Sequence, residues 1–95
     1  MALETTPWDA ADFLDSDETI AAYLEAAFED GDPALIAAAI GDVARARGAT
    51  DIARKAGLSR EAMYKAFAQG GNPTLSTLTR VLKALGVRLS VRVTA

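Results

Sequence analysis

The sequence predicts an all-α domain of five helices, preceded by an acidic helical arm and followed by a single β-strand. Three observations carry this expectation. Apolar residues recur at helical spacing in stretches bounded by capping residues and glycines. The stretch 50–67 divides into two short helices about a tight turn. The last residues alternate apolar and polar, which is the period of a strand. The expected divisions are 1–31 for the acidic arm and first helix, 32–86 for the helix-turn-helix body, and 87–95 for the strand.

Composition limits the chemistry. The 95 residues make one domain, or one domain with an arm. Half are hydrophobic, many of them alanine, so the core is modest and dimerisation would help it. The absence of cysteine removes disulfides and thiolate chemistry, and the absence of histidine removes the commonest general base and metal ligand. The carboxylates lie on solvated helix faces, and no glycine-rich phosphate loop accompanies them. The expectation is a protein that is not an enzyme, with no cofactor, metal or small-molecule substrate. No apolar run spans a bilayer and the start lacks a signal pattern, so a soluble, cytoplasmic protein is expected.

Charge is divided sharply along the chain. Residues 1–42 hold eleven acids and no base, whereas residues 43–95 hold two acids and ten bases. The halves carry −11 and +8, giving the net −3. Such asymmetry suggests two partners of opposite sign. The basic half suits nucleic acid through counterion release. The acidic half suits a basic partner, or serves solubility alone.

In chain order, residues 1–7 show no periodicity. Trp8 is expected to dock on the core beside Phe13 and Leu14 of a short helical turn. Asp15 or Ser16 caps the first helix, where Ile20, Tyr23, Leu24, Ala27 and Phe28 form the apolar face and Gly31 ends it. Asp32 and Pro33 start the second helix, with Leu35, Ile36, Ala39, Ile40 and Val43 facing inward and Gly48 closing it. After the central pair, 69–73 is a turn. Thr74 then caps a last helix carrying Leu75, Leu78, Val81, Leu82 and Leu85, closed by Gly86.

The central pair has the spacing of a helix-turn-helix. Ile52, Ala53 and Ala56 share one face, and Ala53 is small where a second helix must cross. Gly57 can take the left-handed conformation that ends the first helix. Leu58 plugs the corner and Ser59 caps the second helix, whose Met63, Ala66 and Phe67 face inward. Arg60, Glu61, Tyr64 and Lys65 then point outward, able to meet base edges or phosphates. The plain alternative is an αα-hairpin with a solvated charged face and a weak Glu61–Lys65 pair. Thr74 and Ser76 could clamp a phosphate at the last helix start, or only cap and solvate it.

In the strand, Val87, Leu89, Val91 and Val93 share one face and Arg88, Ser90 and Arg92 the other. No other segment of the chain looks like its partner. It is expected to pair with its own copy in a two-fold dimer. Addition to a different protein's sheet and a frayed tail are the alternatives.

Several blocks together resemble one family. They are Trp8-Asp9-Ala10-Ala11-Asp12-Phe13-Leu14, Gly31-Asp32-Pro33, Ala44-Arg45-Ala46-Arg47-Gly48, Gly57-Leu58-Ser59-Arg60-Glu61, Tyr64-Lys65-Ala66, Gly71-Asn72-Pro73 and Leu85-Gly86-Val87-Arg88-Leu89-Ser90-Val91. The chain resembles the addiction-module antidotes, HigA-like antitoxins of the lambda-repressor-like fold. The resemblance implies an antitoxin that silences a small basic toxin of the RelE/ParE type and represses its own operon as a homodimer on a palindromic operator. It implies operator contacts from Ser59, Arg60, Glu61, Tyr64 and Lys65, and leaves the toxin-binding residues unassigned. Relatives of the broader fold carry a phosphate-binding glutamine where this chain has Thr50, a shorter donor, beside Asp51. A stand-alone or phage-type repressor, and a protein-interaction module using the motif as scaffold, are the competing readings.

Overall fold

The computed structural model describes residues 10–68 and 70–94. They form a 3-10 turn at Ala10–Phe13 and five helices: α1 (Asp17–Asp30), α2 (Pro33–Arg47), α3 (Ala49–Ala56), α4 (Arg60–Phe67) and α5 (Leu75–Ala84). The expected docking of Trp8 falls outside the described residues. No helix among the described residues is long and apolar enough to cross a membrane.

Local chemistry sets the helix ends. The Ser16 hydroxyl accepts from the Thr19 N–H at 3.2 Å, and Gly31 ends α1 in the left-handed conformation. The Asp32 carboxylate accepts from the Ala34 N–H at 3.1 Å, with Pro33 in the first helical position of α2. Gly48 closes α2, and Thr74 caps α5 by accepting from the Thr77 N–H at 3.1 Å.

Helix α2 is the hub. It touches the 3-10 turn, α1, α3 and α4, while α5 packs chiefly on α3. The most deeply buried large side chains are Ile40, Val43, Met63, Val81 and Leu82. Tyr23 of α1 donates to the Asp42 carboxylate of α2, which also accepts from Arg45 at 2.8 Å. Arg47 at the end of α2 pairs with Asp17 at the start of α1. These contacts seat the acidic first helix on the hub.

The apolar faces depart from expectation in three places. Leu35 is 45% exposed and Leu75 is 73% exposed. Each stands in the first turn of its helix, where the described residues leave it partly or largely uncovered. In α2 the buried arc turns instead toward Ala37 and Ala44, because the helix is covered from several sides. Phe13 is 58% exposed while its neighbour Leu14 is buried, so a short turn does not put both on one side. The C-terminal strand is also not formed in the single chain: residues 87–94 are irregular. A strand exists only against a ladder partner, and the described residues of one chain supply none. Val87 leans on the core, whereas Val91 and Val93 are almost wholly exposed.

One packing contact is not announced by any apolar pattern. Gly41 lies inside α2, and a Cβ there would stand 2.4 Å from the Phe67 carbonyl oxygen. The backbones of α2 and α4 therefore meet where only glycine fits. In an open helix Gly→Ala stabilises by about 0.5–1 kcal/mol. Here Gly41→Ala is expected to destabilise by about 1–3 kcal/mol, because α4 must move away. Urea denaturation monitored by circular dichroism measures the sign, which is the decisive quantity.

Candidate nucleic-acid interface

The turn between α3 and α4 is built by three residues. Gly57 adopts φ +73°, and its N–H donates to the Arg54 carbonyl at 3.1 Å. Leu58 follows, its N–H on the Ala53 carbonyl at 2.9 Å and its side chain against the core. Ser59 caps α4 by accepting from the Ala62 N–H at 3.0 Å. Ala53 and Ala56 are buried where the two helices approach. Met63 and Phe67 then anchor α4 to the core, so the opposite side faces solvent.

That solvent side holds Arg60, Glu61, Tyr64 and Lys65, all exposed. Arg60 lies along the helix over Tyr64: its Nη2–H donates to the Tyr64 hydroxyl at 3.1 Å, and its guanidinium carbon is 5.2 Å from the ring centroid. An exposed contact of this kind is worth about 0.5–1 kcal/mol, enough to bias the side chain without locking it. Glu61 and Lys65 form no ion pair with each other among the described residues, so the weak helix pair is not made. Thr50 is exposed near the start of α3, a helix with no side-chain cap. Ser59 and Thr74 are exposed, and each accepts the capping N–H of its own helix. Thr74 also donates to Thr77 at 3.1 Å, so its hydroxyl proton is engaged. Ser76 is exposed on the first turn of α5.

Sequence reasoning missed the partners of Asp51 and the position of Arg80. Asp51 is held by Arg54 and, at 3.2 Å, by Lys55, all on α3. The signal was present in the i, i+3 and i, i+4 spacing. Arg80 of α5 reaches over the turn: a Cβ on Gly57 would meet its guanidinium at 3.6 Å. A cation there complements the C-terminal end of α3. No local signal reveals it, because it depends on how α5 crosses α3.

Fold and surface together define a class: a five-helix body that presents a two-helix turn motif with a cationic outer side. Its family follows from comparison. The family described as "Probable addiction module antidote protein" matches residues 4–93, and the chain belongs to it. An uncharacterized protein of Haemophilus influenzae (strain ATCC 51907 / DSM 11121 / KW20 / Rd) is 42% identical over 92 residues, which is 97% of this chain and 95% of that protein. No solved structure matches the chain.

Hydrogen bonds from Lys55 and then Arg54 hold the Asp51 carboxyl below its ordinary value of 3.8. A carboxyl lowered in the folded state stabilises the fold above 3.8, and that contribution is lost as pH falls through the folded value. A carboxyl-detected NMR titration is expected to place the Asp51 midpoint below 3.8, and Lys55→Ala to move it upward. An unmoved midpoint would remove Lys55 as the principal cause.

Proposed function

We propose that this protein is the antitoxin of a type II toxin–antitoxin module, a lambda-repressor-like repressor of its own operon. The observation that carries the reading is the exposed Arg60, Tyr64 and Lys65 side of α4, on a chain of the antidote family. In this reading α4 enters the major groove. Arg60 donates to a guanine edge, and Tyr64 and Lys65 meet phosphate or sugar. Glu61 and Ser59 border the same contact. Thr50 donates to a phosphate beside the free N–H groups at the start of α3. The N-terminal turn of α5, with Thr74 and Ser76, offers a second backbone clamp. Its N–H groups are the donors there, since the Thr74 hydroxyl is engaged by Thr77.

The partners are operator DNA, a second copy and a small basic toxin of the RelE/ParE type. Two copies joined through Val87, Leu89, Val91 and Val93 would set two α4 helices about 34 Å apart, one turn of a palindromic operator. The acidic residues of 1–42 match the toxin in sign and would be kept from the DNA by repulsion. The body is 32–86, with 1–31 toward the toxin and 87–95 toward the second copy.

Gel-shift titration of the chain on its own promoter tests the DNA half of the reading. Arg60→Ala is expected to cost about 1–3 kcal/mol and to relax preference at one position per half-site. Lys65→Ala should weaken all sequences alike and lower the salt slope by about one. An Arg60→Ala protein that loses every operator variant equally would remove the base contact. Charge reversal at both Arg60 and Lys65 should abolish operator binding while toxin inhibition persists. Retention of operator binding by that double variant would end the DNA assignment.

A further inference from the structure

The contact between Arg60 and Tyr64 divides the guanidinium into two edges. The Nη2–H donates to the Tyr64 hydroxyl at 3.1 Å, and the Nε–H reaches the same oxygen at 3.4 Å. Nε and Nη2 form one side of a planar, rigid fork. The end-on edge, made by Nη1 and the second Nη2–H, meets no acceptor among the described residues. The Tyr64 oxygen is the acceptor in both contacts, so its own proton is free to be donated.

Helix geometry produces the pairing. Residues four apart share a face of α4, and a helical side chain leans back over the turn before it. Tyr64 therefore leans toward Arg60, and the guanidinium carbon stands 5.2 Å from its ring centroid. The ring is a firm support. It has fewer side-chain torsions than arginine, so little freedom is lost in holding it. Its neighbour Met63 is buried in the core and fixes the helix beneath it.

We propose that Tyr64 is the positioning residue of Arg60: its hydroxyl holds the Nε side, leaves the Nη1–Nη2 edge to read guanine end-on, and gives its own proton to a backbone phosphate. This rests on the DNA reading above and specifies how its base contact is made. Guanine presents O6 and N7 on one edge in the major groove and takes two parallel donors. The free edge of Arg60 supplies that pair while the other side stays bonded. Immobilising a freely rotating arginine costs side-chain entropy on binding, and an arginine already leaning on a ring has less of it to lose.

A neutral acceptor suits this task. A carboxylate in the same place would offset the guanidinium charge and repel the phosphates. A phenol accepts without charge, so Arg60 keeps its positive charge for DNA. Nothing else orients the side chain. Arg60 begins α4, where the positive end of the helix dipole disfavours a cation. No acid lies within ion-pair distance of it among the described residues.

Two measurements on the full-length protein test the proposal. The first uses no DNA. In isotope-labelled protein, with the Arg60 Nε–H resonance assigned by its loss in Arg60→Lys, Tyr64→Phe is expected to shift that resonance and lower its order parameter. Tyr64 is 40% exposed and outside the core, so the variant keeps the fold. An identical resonance in both proteins would overturn the pairing. The second compares gel-shift affinity for the promoter with that for a promoter altered at the base pair where Arg60→Ala relaxes preference. Tyr64→Phe is expected to weaken both, through the lost phosphate bond, and to lower the ratio between them by about two- to tenfold. In an Arg60→Ala background the same substitution should leave the ratio where it was. Equal loss on both promoters would make Tyr64 a phosphate contact alone and overturn the positioning role. When promoter DNA is added to the labelled protein, the Arg60 Nε–H should hold its position while the Nη–H resonances move. A large shift of the Nε–H would overturn the end-on edge. Failure of the wild-type chain to bind its promoter would overturn the DNA reading itself, and the DNA-free measurement reads the pairing separately from it.

Discussion

What the outer side of α4 can do depends on how closely its last turn lies against the rest of the body. Two glycines make that closeness possible. At Gly41 a side chain would run into the Phe67 carbonyl, and at Gly71 it would stand 2.3 Å from the Ala66 carbonyl oxygen. One comes from the helix beneath α4 and the other from the loop that follows it. Between them they grip the C-terminal backbone of α4, while Met63 and Phe67 fill the core under it. The N-terminal half, with Arg60 and Tyr64, is left standing clear. In the proposed DNA contact, that arrangement would offer the N-terminal half of α4 to the groove. Glycine inside a helix weakens it by about 0.5–1 kcal/mol, so Gly41 is a local cost accepted for a nonlocal contact.

Electrostatics sort the surface in the same sense. Asp17 takes Arg47, Asp42 takes Arg45, and Asp51 takes Arg54 and Lys55. Exposed pairs of this kind contribute at most about 1 kcal/mol each, so stability is not their main consequence. They neutralise cations on α2 and α3. Arg60, Lys65, Arg80, Lys83, Arg88 and Arg92 keep their charge without an acid within ion-pair distance among the described residues. The positive potential is thereby concentrated on α4, α5 and the C-terminal segment, on a chain whose net charge is −3. The acids of α1 lie across a groove from that segment rather than beside α4.

Features set by a few adjacent residues were legible in the sequence. Ser16, Asp32, Ser59 and Thr74 cap helices because a short oxygen-bearing side chain reaches an N–H two or three residues on. Gly31 and Gly57 end helices because they tolerate positive φ. The outward set on α4 followed from the inward set at helical period. Features that need two elements were not legible. Gly41 reads as an ordinary weak point until α4 is laid on it. Ala37 and Ala44 are buried because α2 is covered on several sides, a fact no periodicity of large residues contains. Leu35 and Leu75 have the right period, yet the described residues leave the first turns that hold them partly or largely uncovered.

The C-terminal segment extends that distinction by one step. Its alternation is a property of the chain, but a strand is a property of a pair, and one copy cannot display it. In the single chain residues 87–94 are irregular: Val87 and Leu89 line the α1 groove together with Arg88, Ser90 and Arg92, and Val91 and Val93 stand in water. Fully burying a valine is worth about 1.5–3 kcal/mol relative to leaving it exposed. Two such valines at the end of a small, alanine-rich body are a substantial unrealised contribution. Val87 and Leu89 of the same segment border a cleft with Leu82 of α5. In the homodimer proposed above, a second copy would supply cover for the exposed valines. In that proposal, the contact that would cover Val91 and Val93 would also set the spacing of the two α4 helices.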